Sequence, residues 1–113
     1  MSSSDRSQGH WMKIEVLYVP DCPNHAVALH RLHEALTVEG LQPHVNEVLV
    51  RDADTARSLK FPGSPTIRVN GHDVEPSSET SFGLMCRLYS DGSGAPSFRS
   101  LRAAIQRAHQ LET

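Results

Sequence analysis

Apolar and polar positions divide the chain into short runs of two different periods. Residues 13–19 read KIEVLYV, and Ile14, Val16, Leu17, Tyr18 and Val19 make an apolar, β-rich run. A short run of that kind predicts a strand buried on both faces rather than a half-exposed one. Pro20-Asp21 then punctuates the chain. From Pro23 to Glu39 the period changes: Leu29, Leu32 and Leu36 recur at helical spacing, with Val27 and Ala35 beside them. That is one apolar face of a helix. Pro23 suits the first helical position, where its missing N–H costs nothing. Gly40 falls where a C-terminal cap glycine belongs.

Further on, residues 45–50 (VNEVLV) read as a second strand and residues 52–59 as a short helix. Asp52 or Asp54 caps that helix, and Ala53, Ala56 and Leu59 face inward. Residues 61–65 (FPGSP) form a loop, either lining a shallow apolar groove or packing beneath the chain. Residues 66–69 (TIRV) and 72–75 (HDVE) flank Asn70-Gly71, a pair that signals a hairpin. A polar loop follows over residues 76–83. Residues 84–89 (LMCRLY) read equally as a short strand or a helical turn. Residues 91–96 are a turn region, and Leu101, Ile105 and Ala108 share one face of a last helix over residues 97–111. The order β-α-β-α-β-β-(x)-α implies an α/β fold, with a mixed central sheet flanked by helices. No repeat or linker divides residues 12–113, which read as one domain. Residues 1–11 are Ser-rich and aperiodic, and read as a flexible tail, native or left by cloning.

Composition narrows the partners. A chain of 113 residues is long enough for a modest core without disulfide scaffolding. A net charge of −2 and a pI near 6.4 argue against a nucleic-acid partner, which requires a basic face. No apolar run is long enough to span a membrane, and the polar start lacks the apolar region of a secretory signal. Two cysteines are too few for a secreted disulfide framework. The cytoplasm, where thiols stay reduced, is the expected location. No cofactor is expected. Arg87, with Arg99, Arg102 and Arg107 on the last helix, reads as part of a solvated face, with a basic patch for an acidic partner as the minor reading.

Cys22 carries the candidate chemistry. It follows the first strand and precedes Pro23 at the expected helix start. Unpaired N–H groups and the positive end of the helix dipole favour an anion there, and the thiolate is the reactive form of cysteine. A protonated His25 favours the thiolate, and Asp21 opposes it. The competing reading is a small core residue. Cys86 is the second thiol of the chain. It reads as a resolving thiol, a second ligand for a soft metal, or a packed residue beside Leu84, Met85 and Leu88.

Together, strand, Cys22-Pro23 and then Ser64-Pro65-Thr66 opening a hairpin strand resemble the thioredoxin superfamily. More narrowly, KIEVLYVPDCPNH, FPGSPTIRVNGHDVEP and GLMCRLY are similar to small bacterial monothiol thioredoxin-like proteins. Some members of that group carry selenocysteine at the position of Cys22, and some bear the label alkylmercury lyase. The resemblance implies a thioredoxin-like fold, and a cis Ser64-Pro65 bond facing the active cysteine. It implies a substrate groove at Pro23, Ser64, Pro65 and Thr66, with Cys22, His25 and Cys86 as candidate catalytic residues. The chain departs from the superfamily at Cys22-Pro23-Asn24-His25, where His25 stands in place of the second cysteine of Cys-x-x-Cys. A monothiol can still attack a disulfide or be oxidised to a sulfenic acid.

Three functions therefore remain open. The first is thiol–disulfide redox chemistry at Cys22, acting on a protein or small-molecule thiol or disulfide. The second is binding of a soft metal, such as mercury, copper(I) or arsenite, by Cys22 and Cys86. The third is a non-catalytic interaction module. A zinc site is not expected, because one loose Cys22/His25 pair lacks a second pair of ligands. His30 and His33 fall off the leucine stripe and read as solvated, and His44, His72 and His109 have no partner at ligand spacing. Organomercurial cleavage needs several thiols and a carboxylate around one metal, more than two cysteines supply.

Overall fold

The structure is a computed structural model, and it describes residues 12–76, 82–89 and 91–112. The expected tail at residues 1–11 and most of the polar loop after Pro76 lie outside the described residues. Seven elements follow one another: β1 Ile14–Tyr18, α1 His25–Val38, β2 Val45–Leu49, α2 Ala53–Ser58, β3 Thr66–Val69, β4 His72–Asp73 and α3 Phe98–Glu112. The strands form one mixed sheet in the order β2-β1-β3-β4. β1 runs parallel to β2, with Ile14 opposite Val45 and Tyr18 opposite Leu49. It runs antiparallel to β3, with Val16 opposite Ile67. The α/β class with a mixed sheet and flanking helices is therefore present.

Burial of β1 on both faces follows from its alternation. Ile14 and Val16 face a core built with Ala28, Leu32 and Leu36 of α1, Ile67 of β3, and Leu101 and Ile105 of α3. Leu17 points the other way, into a smaller cluster with Val50, Ala56 and Phe61. Thus α1 and α3 cover one face, and the short α2 covers the other. Arg102 Nε donates to Glu39 Oε2 at 2.7 Å and ties α3 to the end of α1. That bond holds the Glu39 carboxyl below its usual range.

Several boundaries differ from the sequence pattern. α1 begins at His25, not at Pro23. The Cys22 carbonyl accepts from His25 N–H at 3.3 Å, so residues 22–25 close a turn ahead of the helix. The buried stripe of α1 is Ala28, Leu32, Ala35 and Leu36, while Val27 is exposed. Phe61, Pro62 and Gly63 are all buried, so this loop packs beneath the chain. The Asn70-Gly71 hairpin is present, with φ of 52° and 84° at its two turn residues. Positive φ at both positions fits the tight hairpin turn that Asn-Gly favours. β4 ends at Asp73, because Asp73 Oδ1 accepts from Glu75 N–H and Val74 turns into the core. Residues 84–89 form no helix, and Cys86 makes a single parallel bridge to Ser64.

Asp52 is the cap of α2: its Oδ1 accepts from Thr55 N–H at 2.7 Å. This bond holds the carboxyl below its ordinary value of 3.8. A lowered folded-state value means that the contribution is complete above 3.8 and fades as pH falls through the folded value. Asp52→Ala is therefore expected to lower the thermal midpoint at neutral pH. The gap to wild type should narrow as pH drops below 3.8, as followed by circular dichroism.

Candidate functional site

Ser64 joins the two cysteine-bearing segments. Its side-chain Oγ accepts from Val19 N–H at 3.0 Å, at the end of β1 and three residues before Cys22. Its main chain is paired with the other segment: Ser64 N–H donates to Met85 C=O at 2.8 Å, and Arg87 N–H donates to Ser64 C=O at 3.0 Å. Cys86 thus lies directly across from Ser64. The Ser64-Pro65 peptide bond is cis, as the resemblance implies. Both cysteines are free thiols; Cys22 is partly buried and Cys86 is exposed. Exposure excludes the packed-residue reading of Cys86. The expected groove residues divide, with Pro23 exposed and Ser64, Pro65 and Thr66 buried.

The chain reaches Cys22 through Asp21, which turns with φ of 58°. Asp21 tolerates that left-handed conformation better than most residues do. Asn24 is the N-cap of α1, yet its side chain makes no capping bond. On the far side, a Cβ at Gly94 would come within 2.2 Å of the Asn24 amide. The loop before α3 therefore packs closely on the turn that carries Cys22. Arg31 of α1 holds that loop by donating to the Ala95 and Pro96 carbonyls at 3.3 and 3.2 Å.

His25 is fixed by two residues that sequence reasoning missed. Its ring stacks on Tyr18, with centroids 3.8 Å apart and planes 9° from parallel. Its Nε2 lies 2.8 Å from Glu47 Oε1 of β2, an ion-pair distance without hydrogen-bond geometry. Glu47 sits in the middle of VNEVLV, and a carboxylate within this β-rich run is the one local hint of a partner.

Beneath Cys86 lies a buried polar node. Arg87, expected on a solvated face, is only 7% exposed. Its Nη1 donates to Asp73 Oδ2 at 2.7 Å and to Thr66 Oγ1 at 3.1 Å, and its Nη2 donates to the Glu75 carbonyl. Its guanidinium stands 4.4 Å from the centre of the Tyr89 ring. The Tyr89 hydroxyl donates to the Pro65 carbonyl, and burial pushes its phenol well above the ordinary tyrosine range. Five donors in a rigid fork let one arginine satisfy several buried acceptors. Burial of a charge is tolerated here because it is paired and hydrogen-bonded. Thr66 Oγ1 also donates to Gly63 C=O at 2.6 Å. The node fixes both the turn around Pro65 and the segment that carries Cys86.

Among the described residues, no group of three or more His, Cys, Asp or Glu side chains could hold a metal ion. None of the described helices is long and apolar enough to cross a membrane. Comparison with protein-family models, curated proteins and solved structures gives no match.

Proposed function

We propose that the chain is a thioredoxin-like thiol–disulfide redox protein with Cys22 as its nucleophile. The observation that carries this reading is the double use of Ser64. Its hydroxyl is bonded to the strand that delivers Cys22, and its main chain is bonded on both sides of Cys86. Two thiols, on segments that both bond to Ser64, are the minimum that a self-resolving exchange needs. The cis Ser64-Pro65 bond and the α/β architecture agree with the same family reading.

In this mechanism the Cys22 thiolate attacks one sulfur of a disulfide. A new S–S bond forms to Cys22, the old one breaks, and the leaving thiolate takes up a proton. The Cys86 thiolate then attacks Cys22 Sγ and releases the second substrate thiol. The substrate disulfide has gained two electrons, and Cys22 and Cys86 have become a disulfide. An external thiol reductant returns the pair to the starting state by the same exchange in reverse. Closing the pair requires the two Cα atoms to come within about 7 Å. His25, held by Tyr18 and Glu47, stands one turn from Cys22 as the proton-carrying side chain.

The test is reaction of the full chain with oxidised glutathione, followed by intact mass. Wild type is expected to end as an internal disulfide without retained glutathione. Cys22→Ser should react more than about tenfold slower, because a hydroxyl does not replace a thiolate in exchange. Equal rates in wild type and Cys22→Ser would overturn the assignment of the nucleophile.

A further inference from the structure

The His25 ring is fixed in two independent ways. Tyr18 stacks on its face, with centroids 3.8 Å apart and planes 9° from parallel. Stacking sets the plane of the ring but not its flip. A half-turn about Cβ–Cγ keeps the plane and exchanges Nδ1 with Cδ2 and Nε2 with Cε1. A polar neighbour has to choose between the two.

Glu47 is that neighbour. Its Oε1 lies 2.8 Å from His25 Nε2, and Nε2 is shielded from solvent. The geometry is that of an electrostatic contact rather than a linear hydrogen bond. The sign of the contact still decides where the ring proton sits. A bare lone pair on Nε2 would face a carboxylate oxygen at 2.8 Å and be repelled. An N–H turns its positive end to the same oxygen. A singly protonated imidazole donates from one nitrogen and accepts at the other. With the proton on Nε2, the lone pair is on Nδ1.

Cys22 stands at the other end of the same turn, where its C=O accepts from His25 N–H at 3.3 Å. We infer that Glu47 is a positioning residue: it holds the proton of His25 on Nε2, so that Nδ1 is the base that takes the proton of the Cys22 thiol. The S–H bond breaks with its electron pair left on Sγ, and the proton passes to Nδ1. The resulting imidazolium carries a proton on both nitrogens, and the Glu47 carboxylate stands against its charge. Nucleophile, base and orienting carboxylate then act in series. The proton on Nδ1 is available to the thiolate that leaves the attacked disulfide. The base role rests on Cys22 as the proposed nucleophile; the tautomer does not.

The experiment is proton–nitrogen correlation NMR of the histidine rings in the reduced full chain, read at the alkaline end of a pH series. His25→Gln identifies the His25 signals. Wild type is expected to show one tautomer, with the proton on Nε2. Glu47→Val removes the oxygen and should give averaged ring-nitrogen shifts, the mark of both tautomers. In the Cys86→Ser background, Glu47→Val should slow alkylation of Cys22 by about tenfold or more, the low side of what a positioned base contributes. Glu47→Gln keeps the side-chain shape and guards against misfolding; it loses the anion and should slow alkylation as well. A proton on Nδ1 in wild type would overturn the inference. So would ring signals unmoved by Glu47→Val, or alkylation unmoved by both variants. The ring spectrum involves no disulfide exchange, so its result is separate from whether Cys22 attacks a disulfide.

Discussion

Replacing Arg87 with methionine is expected to destabilise the fold by on the order of 3 kcal/mol, the range for breaking a buried ion pair from one side. Methionine keeps much of the stem's volume, so packing changes little. What it removes is the donor set. Asp73, whose side chain is 16% exposed, loses the cation that stands 2.7 Å from its carboxylate. The Glu75 carbonyl and Thr66 Oγ1 lose donors as well. An unpaired carboxylate in that setting is costly, whereas removal of both charges is much less so. Asp73→Leu in the Arg87→Met background should therefore recover part of the loss. Urea unfolding of wild type, Arg87→Met and the double variant measures this directly. A loss below about 1 kcal/mol for Arg87→Met, the size of an exposed pair, would show that the node does not hold the turn.

Gly63→Ala is expected to act on the same place through the backbone. Gly63 has φ of 140°, and a Cβ there would lie 2.9 Å from Arg87 Cβ and 3.1 Å from its Cα. Those are rigid atoms, so the Cys86 segment must move. The conformation alone costs a non-glycine residue roughly 1–3 kcal/mol, and the contact adds to it. Displacement of Arg87 would break its N–H bond to Ser64 C=O. Gly63→Ala should thus show a lower urea midpoint together with faster amide hydrogen exchange at Arg87. A destabilised protein with unchanged exchange at Arg87 would place the strain elsewhere. The control Gly71→Ala also has positive φ, yet its Cβ meets nothing within 4 Å, and it should leave Arg87 exchange unchanged.

Elements with local signals were legible in the sequence. The apolar run at residues 13–19 gave a strand buried on both faces, because Ile14 and Val16 alternate with Leu17 across it. Asn70-Gly71 gave the hairpin, since both residues tolerate positive φ. The face of α3 was visible as Leu101, Ile105 and Ala108. The start of α1 was not, because Pro23 fits either a first helical turn or the turn that precedes it. The Cys22–His25 bond selects the latter.

Long-range pairings left no such trace. Arg87 looked like an ordinary surface arginine, since its partners Thr66 and Asp73 lie on strands assigned from unrelated patterns. Cys86 sits across from Ser64 only because a parallel bridge brings their segments together. Tyr18 and Glu47 reach His25 from two strands, and neither spacing in the sequence relates them to it. The candidate thiols could be named from the sequence, whereas the groups that position them are tertiary.

The central claim is that Cys22 attacks and Cys86 resolves. The measurement that tests it most directly is peptide mapping of the Cys86→Ser protein after exposure to oxidised glutathione. The account expects a stable mixed disulfide on Cys22, which wild type does not retain because Cys86 displaces it. If Cys22 stays unmodified in Cys86→Ser, while Cys86 is the thiol that reacts in wild type, the assignment of the nucleophile is contradicted.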